Sequence, residues 1–367
     1  MKITAIRFAK LIVPLITPFK TAMRTVENIT DLVVIVETDS GAVGYGSAAS
    51  TPVITGDTHG SVYFAINNVI GPQIIGMDVE DINSICHKIQ HAIVANNSAK
   101  AALEIAIYDL WGKLYQLPLF KLLGGGKSQL RTDVTISVDH IDKMLADANL
   151  AISQGFDILK IKIGTDIEND IARVEAIYQD VAKRAILRLD VNQGWTAKQT
   201  VYAMQKLEHL GVELELIEQP VKSKDIDGLR YISQRITTPI MADESAFSPL
   251  QVIELIHSGA ADIINIKLMK SAGLSQAIKI ADLAELHNIP CMIGCMLEGS
   301  IGVAAAAHLA SAKSSSISLI DLDGPALGKY DPVQGGVNFN FSHITLSQGP
   351  GLGIESINGL QELTWPF

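Results

Sequence analysis

Cysteine is scarce: Cys86, Cys291 and Cys295 are three in 367 residues, an odd number with no C-x-x-C spacing. A disulfide framework and a zinc site are both disfavoured, and the three read as buried apolar side chains in a reducing compartment. Basic clusters are also missing, since 29 Lys and Arg stand against 39 Asp and Glu, for a net charge of −10. Nucleic acid is therefore not expected as a partner, because neutralising phosphates takes gathered cations. No apolar run reaches the length that crosses a bilayer. Lys2 to Phe19 is mildly apolar but interrupted by Arg7, Lys10, Pro14 and Pro18, so it reads as a strand rather than a secretion signal. No membrane partner is expected, and the expected compartment is the cytoplasm. The nine histidines are scattered, and none joins a Ser or Cys in a nucleophile pattern.

Apolar residues are plentiful, at 48%. A chain this long exceeds one core, so a barrel plus a smaller domain is the natural division. Residues 1–126 read as an α+β capping domain, 127–323 as a (β/α) barrel, and 324–367 as a segment returning to the cap. The cap opens with an antiparallel sheet: Ile3 to Leu15, Asp31 to Thr38, a turn at Asp39 Ser40 Gly41, then Ala42 to Gly46. Between the first two runs, polar Thr17 to Val26 reads as a loop that reaches over the neighbouring domain. The glycines at 41, 44 and 46 sit among strand residues with no immediate helix, which argues against a dinucleotide loop. Residues 57–123 have helical period. Within them Ser98 is a plausible cap for a helix to Tyr115, with Ala102, Ile105, Ala106, Leu110 and Leu114 near one face.

The middle of the chain repeats one arrangement, a short apolar run ending at an ionisable side chain. The end points Lys162, Asp190, Glu218, Asp243 and Lys267 lie 28, 28, 25 and 24 residues apart. That spacing fits a strand, a crossover helix and two loops, the unit of a barrel whose chemistry sits at the C-terminal strand ends. Thr132 to Ser137 precedes these as strand 1; Pro290 to Gly294 and Ser318 to Leu322 follow as strands 7 and 8. Lysines then close strands 2 and 6, which face each other across an eight-stranded ring, and carboxylates close strands 3, 4 and 5.

Lys160 and Lys162 share a strand face. Buried side by side, they should disfavour each other's charge and lower the pKa of one towards a useful base. Both also read as flanking a solvated strand end. Asp190, Glu218 and Asp243 each read singly as a cap or loop carboxylate, but together they form an oxygen-rich pocket that repels itself without a cation. With no His or Cys among them, the ion expected is hard and divalent, Mg²⁺ before Mn²⁺ or Ca²⁺. A cation between opposed lysines suits abstraction of a proton beside a carboxylate and return of one to the other face. That is a 1,1-proton transfer, and it needs no organic cofactor.

At these residues the sequence resembles the enolase superfamily, in its muconate-lactonising-enzyme-like subgroup and, within it, the dipeptide epimerases. The resemblance extends to Ala106 Ile107 Tyr108 Asp109 Leu110 Trp111 Gly112 Lys113, to Leu122 Leu123 Gly124 Gly125, and to Pro350 Gly351 Leu352 Gly353 Ile354. It implies a modified (β/α)8 barrel of (β/α)7β type and a Mg²⁺ held by Asp190, Glu218 and Asp243. It also implies Lys162 and Lys267 as the acid/base pair, Lys160 tuning Lys162, and Asn192 supporting the metal ligands. Lys-based sites with Mg²⁺ are a general pattern of enolase-type enzymes. Asp321 Leu322 Asp323 is similar to the pair that binds a dipeptide's α-ammonium, and also reads as a turn before Gly324 Pro325. Arg24 resembles the arginine that meets the glutamate carboxylate in alanyl-glutamate epimerases; it also reads as a loop charge. Thr135 is a further pocket candidate, and Glu298 either faces the pocket or supports a lysine.

The expected activity is Mg²⁺-dependent epimerisation of the C-terminal residue of a dipeptide, L-Ala-L/D-Glu first, in recycling of cell-wall peptide. The chain is expected to associate with copies of itself. Two alternatives stand beside this: a muconate-type cycloisomerase or o-succinylbenzoate synthase, and a non-catalytic barrel that binds metal and peptide.

Overall fold

The computed structural model describes residues 1–21, 24–181 and 183–363. Runs rich in β-branched and other apolar residues build the first three strands, β1 (Ile3–Lys20), β2 (Thr25–Thr38) and β3 (Val43–Ala49), into an antiparallel sheet. The sequence suggests a loop over Thr17 to Val26, but β1 and β2 continue pairing there, Phe19 with Val26 and Lys20 with Thr25. Pro14 and Pro18 cannot donate to a ladder, and the register shift between Pro14 and Phe19 absorbs them. This hairpin does reach the barrel: Lys20 N donates to Ser137 Oγ at 3.1 Å, and Lys20 Nζ to Asp139 Oδ2 at 2.5 Å. Ala22 and Met23 lie outside the described residues.

The helix Asn97–Leu114 begins two residues earlier than a cap at Ser98 implies, with Asn96 at the cap position. Ser98 N instead donates to Asp57 Oδ2 at 3.0 Å. Nor does this helix bury one face only, since every residue from Ser98 to Leu110 is buried. It lies between β3 on one side and the barrel on the other. The glycines of β3 are required for that approach, because a Cβ on Gly46 would stand 1.9 Å from Ala102 O and one on Gly44 2.3 Å from Ala106 O.

After β4 (Gln129–Arg131) come eight parallel strands in sequence order: β5 (Val134–Ile136), β6 (Ile158–Lys162), β7 (Ile186–Asp190), β8 (Leu216–Glu218), β9 (Ile240–Ala242), β10 (Ile263–Lys267), β11 (Cys291–Gly294) and β12 (Ile317–Asp321). Helices connect consecutive strands, and β12 runs into a short turn, Gly324–Leu327, in place of an eighth helix. The architecture is a (β/α)7β barrel with an N-terminal α+β cap. Between β12 and β5 the link is made by Leu322 N donating to Thr132 Oγ1 (2.9 Å) and Thr135 N to Asp323 Oδ2 (2.7 Å). In the tail, His343–Leu346 pairs with β4 and Gln361–Glu362 with β1. One apolar core runs through cap and barrel, while Leu216, Met241, Ile263 and Met292 form a separate layer.

Candidate active site

Strand register brings the ionisable ends to one level. Lys162 pairs with Asp190, Asp190 with Glu218, Lys267 with Gly294 and Gly294 with Asp321. Asp243 follows directly on β9. Because residues two apart share a face, Lys160 joins Lys162, and Asn265 joins Lys267. All of these side chains are buried. Three strands lie between β6 and β10, so Lys162 and Lys267 enter from opposite parts of the ring with the carboxylates between them.

Each ammonium group is placed against acids. Lys160 Nζ stands 2.6 Å from Glu218 Oε2, 2.7 Å from Asp321 Oδ2 and 3.2 Å from Asp190 Oδ2. Lys162 Nζ donates to Asp190 Oδ2. Lys267 Nζ donates to Asp243 Oδ2 at 2.8 Å and lies 3.8 Å from Glu218 Oε1. Asn192 N donates to Asp190 Oδ1 at 2.9 Å from a left-handed backbone (φ 45°), and Asn265 Nδ2 donates to Glu218 Oε1 at 2.8 Å.

The electrostatics differ from the sequence expectation. Burial alone would lower Lys160, but Asp321, Glu218 and Asp190 carry its pKa well above the ordinary value. Lys267 is likewise raised, against its burial, by Asp243 and Glu218. For Lys160 the surrounding acids outweigh burial, so lowering by a like-charged neighbour is not what it shows. Asp190 and Asp243 are held below the usual carboxylate range, because their lysine partners overcome desolvation. Glu218 is pushed up to about 7 and Glu244 to about 8, chiefly by burial and then by the neighbouring acids.

This residue set fits a hard divalent cation in chemistry. Four buried lysines, Lys160, Lys162, Lys267 and Lys270, meet five buried carboxyl groups, Asp190, Glu218, Asp243, Glu244 and Asp321. Carboxyl groups outnumber ammonium groups, and both Glu244 oxygens and Asn192 Oδ1 accept no hydrogen bond. Glu218 Oε2 and Asp243 Oδ1 also lack hydrogen-bond geometry, although each has a lysine Nζ within 2.6 Å. All of these donors are oxygens. Among the described residues no three carboxylate, His or Cys groups gather at ion-binding spacing; the ammonium groups stand between the acids instead.

A cavity opens above these charges, lined by Lys160, Lys162, Lys267, Asn192, Asp321, Asp323 and Thr135 and roofed by Phe19, Thr21 and Arg24 of the hairpin. Asp323 is raised by burial and by Asp321, against the Thr135 hydrogen bonds. Arg24 is half-buried, and desolvation lowers its pKa; among the described residues no carboxylate pairs with its guanidinium. Glu298 does not line this cavity. It accepts from Met296 N at 2.9 Å and is pushed up to about 8 by burial and by Asp31 of β2.

Sequence reasoning passed over Lys270, Asn265, Glu244 and Gln219. Lys270 Nζ reaches Asp243 Oδ1 (2.5 Å), Asp243 O (2.6 Å) and Asn265 O (2.8 Å). Gln219 Oε1 accepts from Asp243 N (2.9 Å) and Ser245 N (3.2 Å). A lysine three residues after Lys267 in an otherwise apolar stretch was the available signal for Lys270. The apolar roof over the cavity, Val53, Ile54, Met296 and Leu297, carries no signal in a single sequence.

Opposed lysines over buried carboxylates at the open end of a capped barrel define an enzyme scaffold for moving protons at carbon. The comparisons place the chain within that class. Residues 2–124 match the mandelate racemase / muconate lactonizing enzyme N-terminal domain and residues 143–358 the enolase C-terminal domain-like family. The chain belongs to the mandelate racemase / muconate lactonizing enzyme family of the enolase superfamily. It is 48% identical to the L-Ala-D/L-Glu epimerase of Clostridium acetobutylicum, over 98% of this chain and 100% of that one. It superposes on a substrate-liganded complex of the Bacillus subtilis L-Ala-D/L-Glu epimerase with a TM-score of 0.95, at 45% identity over 97% and 99% of the two chains. For the Enterococcus faecalis dipeptide epimerase complexed with Mg and L-Leu-L-Tyr, the TM-score is 0.92 at 42% identity, over 97% and 100%.

Proposed function

We propose that this chain is a Mg²⁺-dependent dipeptide epimerase that inverts the α-carbon of the C-terminal residue, with L-Ala-L/D-Glu as the leading substrate. The observation that carries the reading is the pair Lys162 and Lys267, entering from opposite parts of the ring with Asp190, Glu218 and Asp243 between them. In this reading the three carboxylates hold the ion, and Asn192 and Asn265 fix the orientations of Asp190 and Glu218. When bound, Mg²⁺ supplies positive charge for the substrate carboxylate as the adjacent carbon becomes carbanionic.

One lysine removes the α-proton and the other, protonated, delivers a proton to the opposite face. Asp243 favours the protonated, donating form of Lys267. Lys160 stays charged beside Asp190 and Asp321, which keeps positive potential near the carbon acid. Asp323 and Asp321 receive the substrate's α-ammonium, with Thr135 N orienting Asp323. Arg24 receives an acidic C-terminal side chain through its two-pronged guanidinium. The cap from 1 to 126 closes over a barrel from 127 to 323, and its hairpin roof keeps bulk water from the reacting carbon. No helix of the described residues is long and apolar enough to cross a membrane.

The test is incubation with L-Ala-L-Glu and Mg²⁺ in D₂O. Deuterium should enter the glutamyl α-position as L-Ala-D-Glu appears. A substrate left undeuterated would count against proton transfer, and turnover of a substrate lacking an amine, unaffected by Asp321→Asn, would point to a cycloisomerase or o-succinylbenzoate synthase.

A further inference from the structure

The helix Leu274–Leu286 follows directly on the loop after Lys267, and its own start provides no cap, since Gly273 has no side chain (φ 110°). The cap domain supplies one. Glu104, fully buried in the helix Asn97–Leu114, accepts from Ser275 N at 2.8 Å through Oε2 and from Ser275 Oγ at 2.7 Å through Oε1. A carboxylate there satisfies an otherwise unpaired amide and meets the positive end of the helix dipole. A Cβ on residue 273 would lie 2.6 Å from Glu104 Oε2, so the glycine is needed for the approach.

Two further cap side chains hold the same short loop. Gln90 Nε2 donates to Glu104 Oε1 at 2.7 Å and to Ala272 O at 2.6 Å, where Ala272 is in the left-handed region (φ 63°). Asn97 Nδ2 donates to Lys270 O at 2.6 Å. The loop passes this constraint back towards β10: Gly273 N donates to Leu268 O at 3.0 Å and Ser271 Oγ to Lys267 O at 3.2 Å. Among the described residues no comparable set of cap side chains grips the chain after Lys162; there Gly164 N and Thr165 N are held by Asp170 of the barrel's own helix.

We infer that Glu104 is a positioning residue for Lys267 and not for Lys162, acting through the Ala272–Ser275 backbone. The inference rests on the reading of Lys267 as one of two bases. Loss of the clamp therefore damages one half of the reaction, the abstraction from the enantiomer that Lys267 faces.

The experiment measures α-proton exchange in D₂O separately from L-Ala-L-Glu and L-Ala-D-Glu. Lys267→Ala and Lys162→Ala first assign a hand to each lysine. Glu104→Gln keeps the volume but turns an N–H donor towards one of the groups that now donate to it, and Ser275→Ala removes the hydroxyl alone. Expected for Glu104→Gln is a roughly tenfold to hundredfold loss in the exchange assigned to Lys267, with the other changed less than about twofold, as a displacement near 1 Å produces. Ser275→Ala should show the same one-sided loss, smaller, and serves if Glu104→Gln does not fold.

Asp109→Asn is the control. It lies on the same helix but ties Tyr45 N and Leu352 N, away from the loop, so it should lower stability without favouring a hand. Equal losses of both exchanges in Glu104→Gln and Ser275→Ala, or no loss in either, overturn the positioning role while leaving the two-base reading intact. If Lys267→Ala itself shows no preference of hand, the two-base reading fails and the inference with it.

Discussion

Replacing Arg24 by Met should convert a preference for acidic dipeptides into indifference. The guanidinium lies in the roof of the cavity, half-buried, with desolvation lowering its pKa and no carboxylate beside it among the described residues. It nevertheless stays charged at neutral pH, as arginine does in proteins. Removing one partner of a buried, hydrogen-bonded charge pair costs about 2–5 kcal/mol. Arg24 is only half-buried, so the lower end applies, about 2 kcal/mol or roughly thirtyfold in kcat/KM for L-Ala-L-Glu. L-Ala-L-Leu has no charge to lose and should change by less than about threefold. Arg24→Lys keeps the charge without the fork and should fall between. The assay is kcat/KM for L-Ala-L-Glu, L-Ala-L-Gln and L-Ala-L-Leu by polarimetry or coupled deuterium exchange. Equal losses on Glu and Leu substrates in Arg24→Met would remove Arg24 from specificity and with it the case for an acidic substrate.

Lys162→Ala and Lys267→Ala should each reduce epimerisation by about 10²–10⁴-fold. Calorimetric titration should show Mg²⁺ binding unchanged or tighter, since each ammonium group competes for Asp190 or Asp243; substantial residual epimerisation would contradict the two-base scheme. Asp323→Asn should raise KM by about tenfold for dipeptides with a free amine, through loss of a charged partner, and leave N-acetyl dipeptides unaffected; the same rise for both would detach Asp323 from the ammonium. Asp31, buried in β2, is pushed up to about 7 by desolvation. A carboxyl group raised on folding favours the native state while protonated, and that contribution fades as pH climbs from its unfolded value near 4 through 7. Asp31→Asn should therefore raise stability at pH 8 by on the order of 2 kcal/mol, less as pH falls towards 4; a melting-temperature difference that is flat from pH 5 to 8 would refute this.

The barrel was legible because its parallel strands are buried and short, so each reads as an apolar run, and the spacing of Lys162, Asp190, Glu218, Asp243 and Lys267 reports the crossover length. The same pattern could not disclose the hairpin. Within Thr17 to Val26, Thr21 and Arg24 line a charged cavity, and polarity there suggests a loop although the ladder continues to Lys20 and Thr25. The helix Asn97–Leu114 misled for the opposite reason, since packing between sheet and barrel buries both faces and erases the one-sided period. Lys160 shows the limit of local reasoning about charge. Its strand neighbour Lys162 is visible in sequence, but Asp321, 161 residues away and 2.7 Å from its Nζ, is not. Lys270 escaped because a lysine on a four-residue turn ordinarily faces solvent.

A crystal structure with Mg²⁺ and L-Ala-L-Glu tests the central geometry most directly. The account predicts one ion held by Asp190, Glu218 and Asp243, with Lys162 Nζ and Lys267 Nζ within hydrogen-bonding reach of the glutamyl α-carbon from opposite faces. Both amines on one face, or an ion held by other residues, would contradict it.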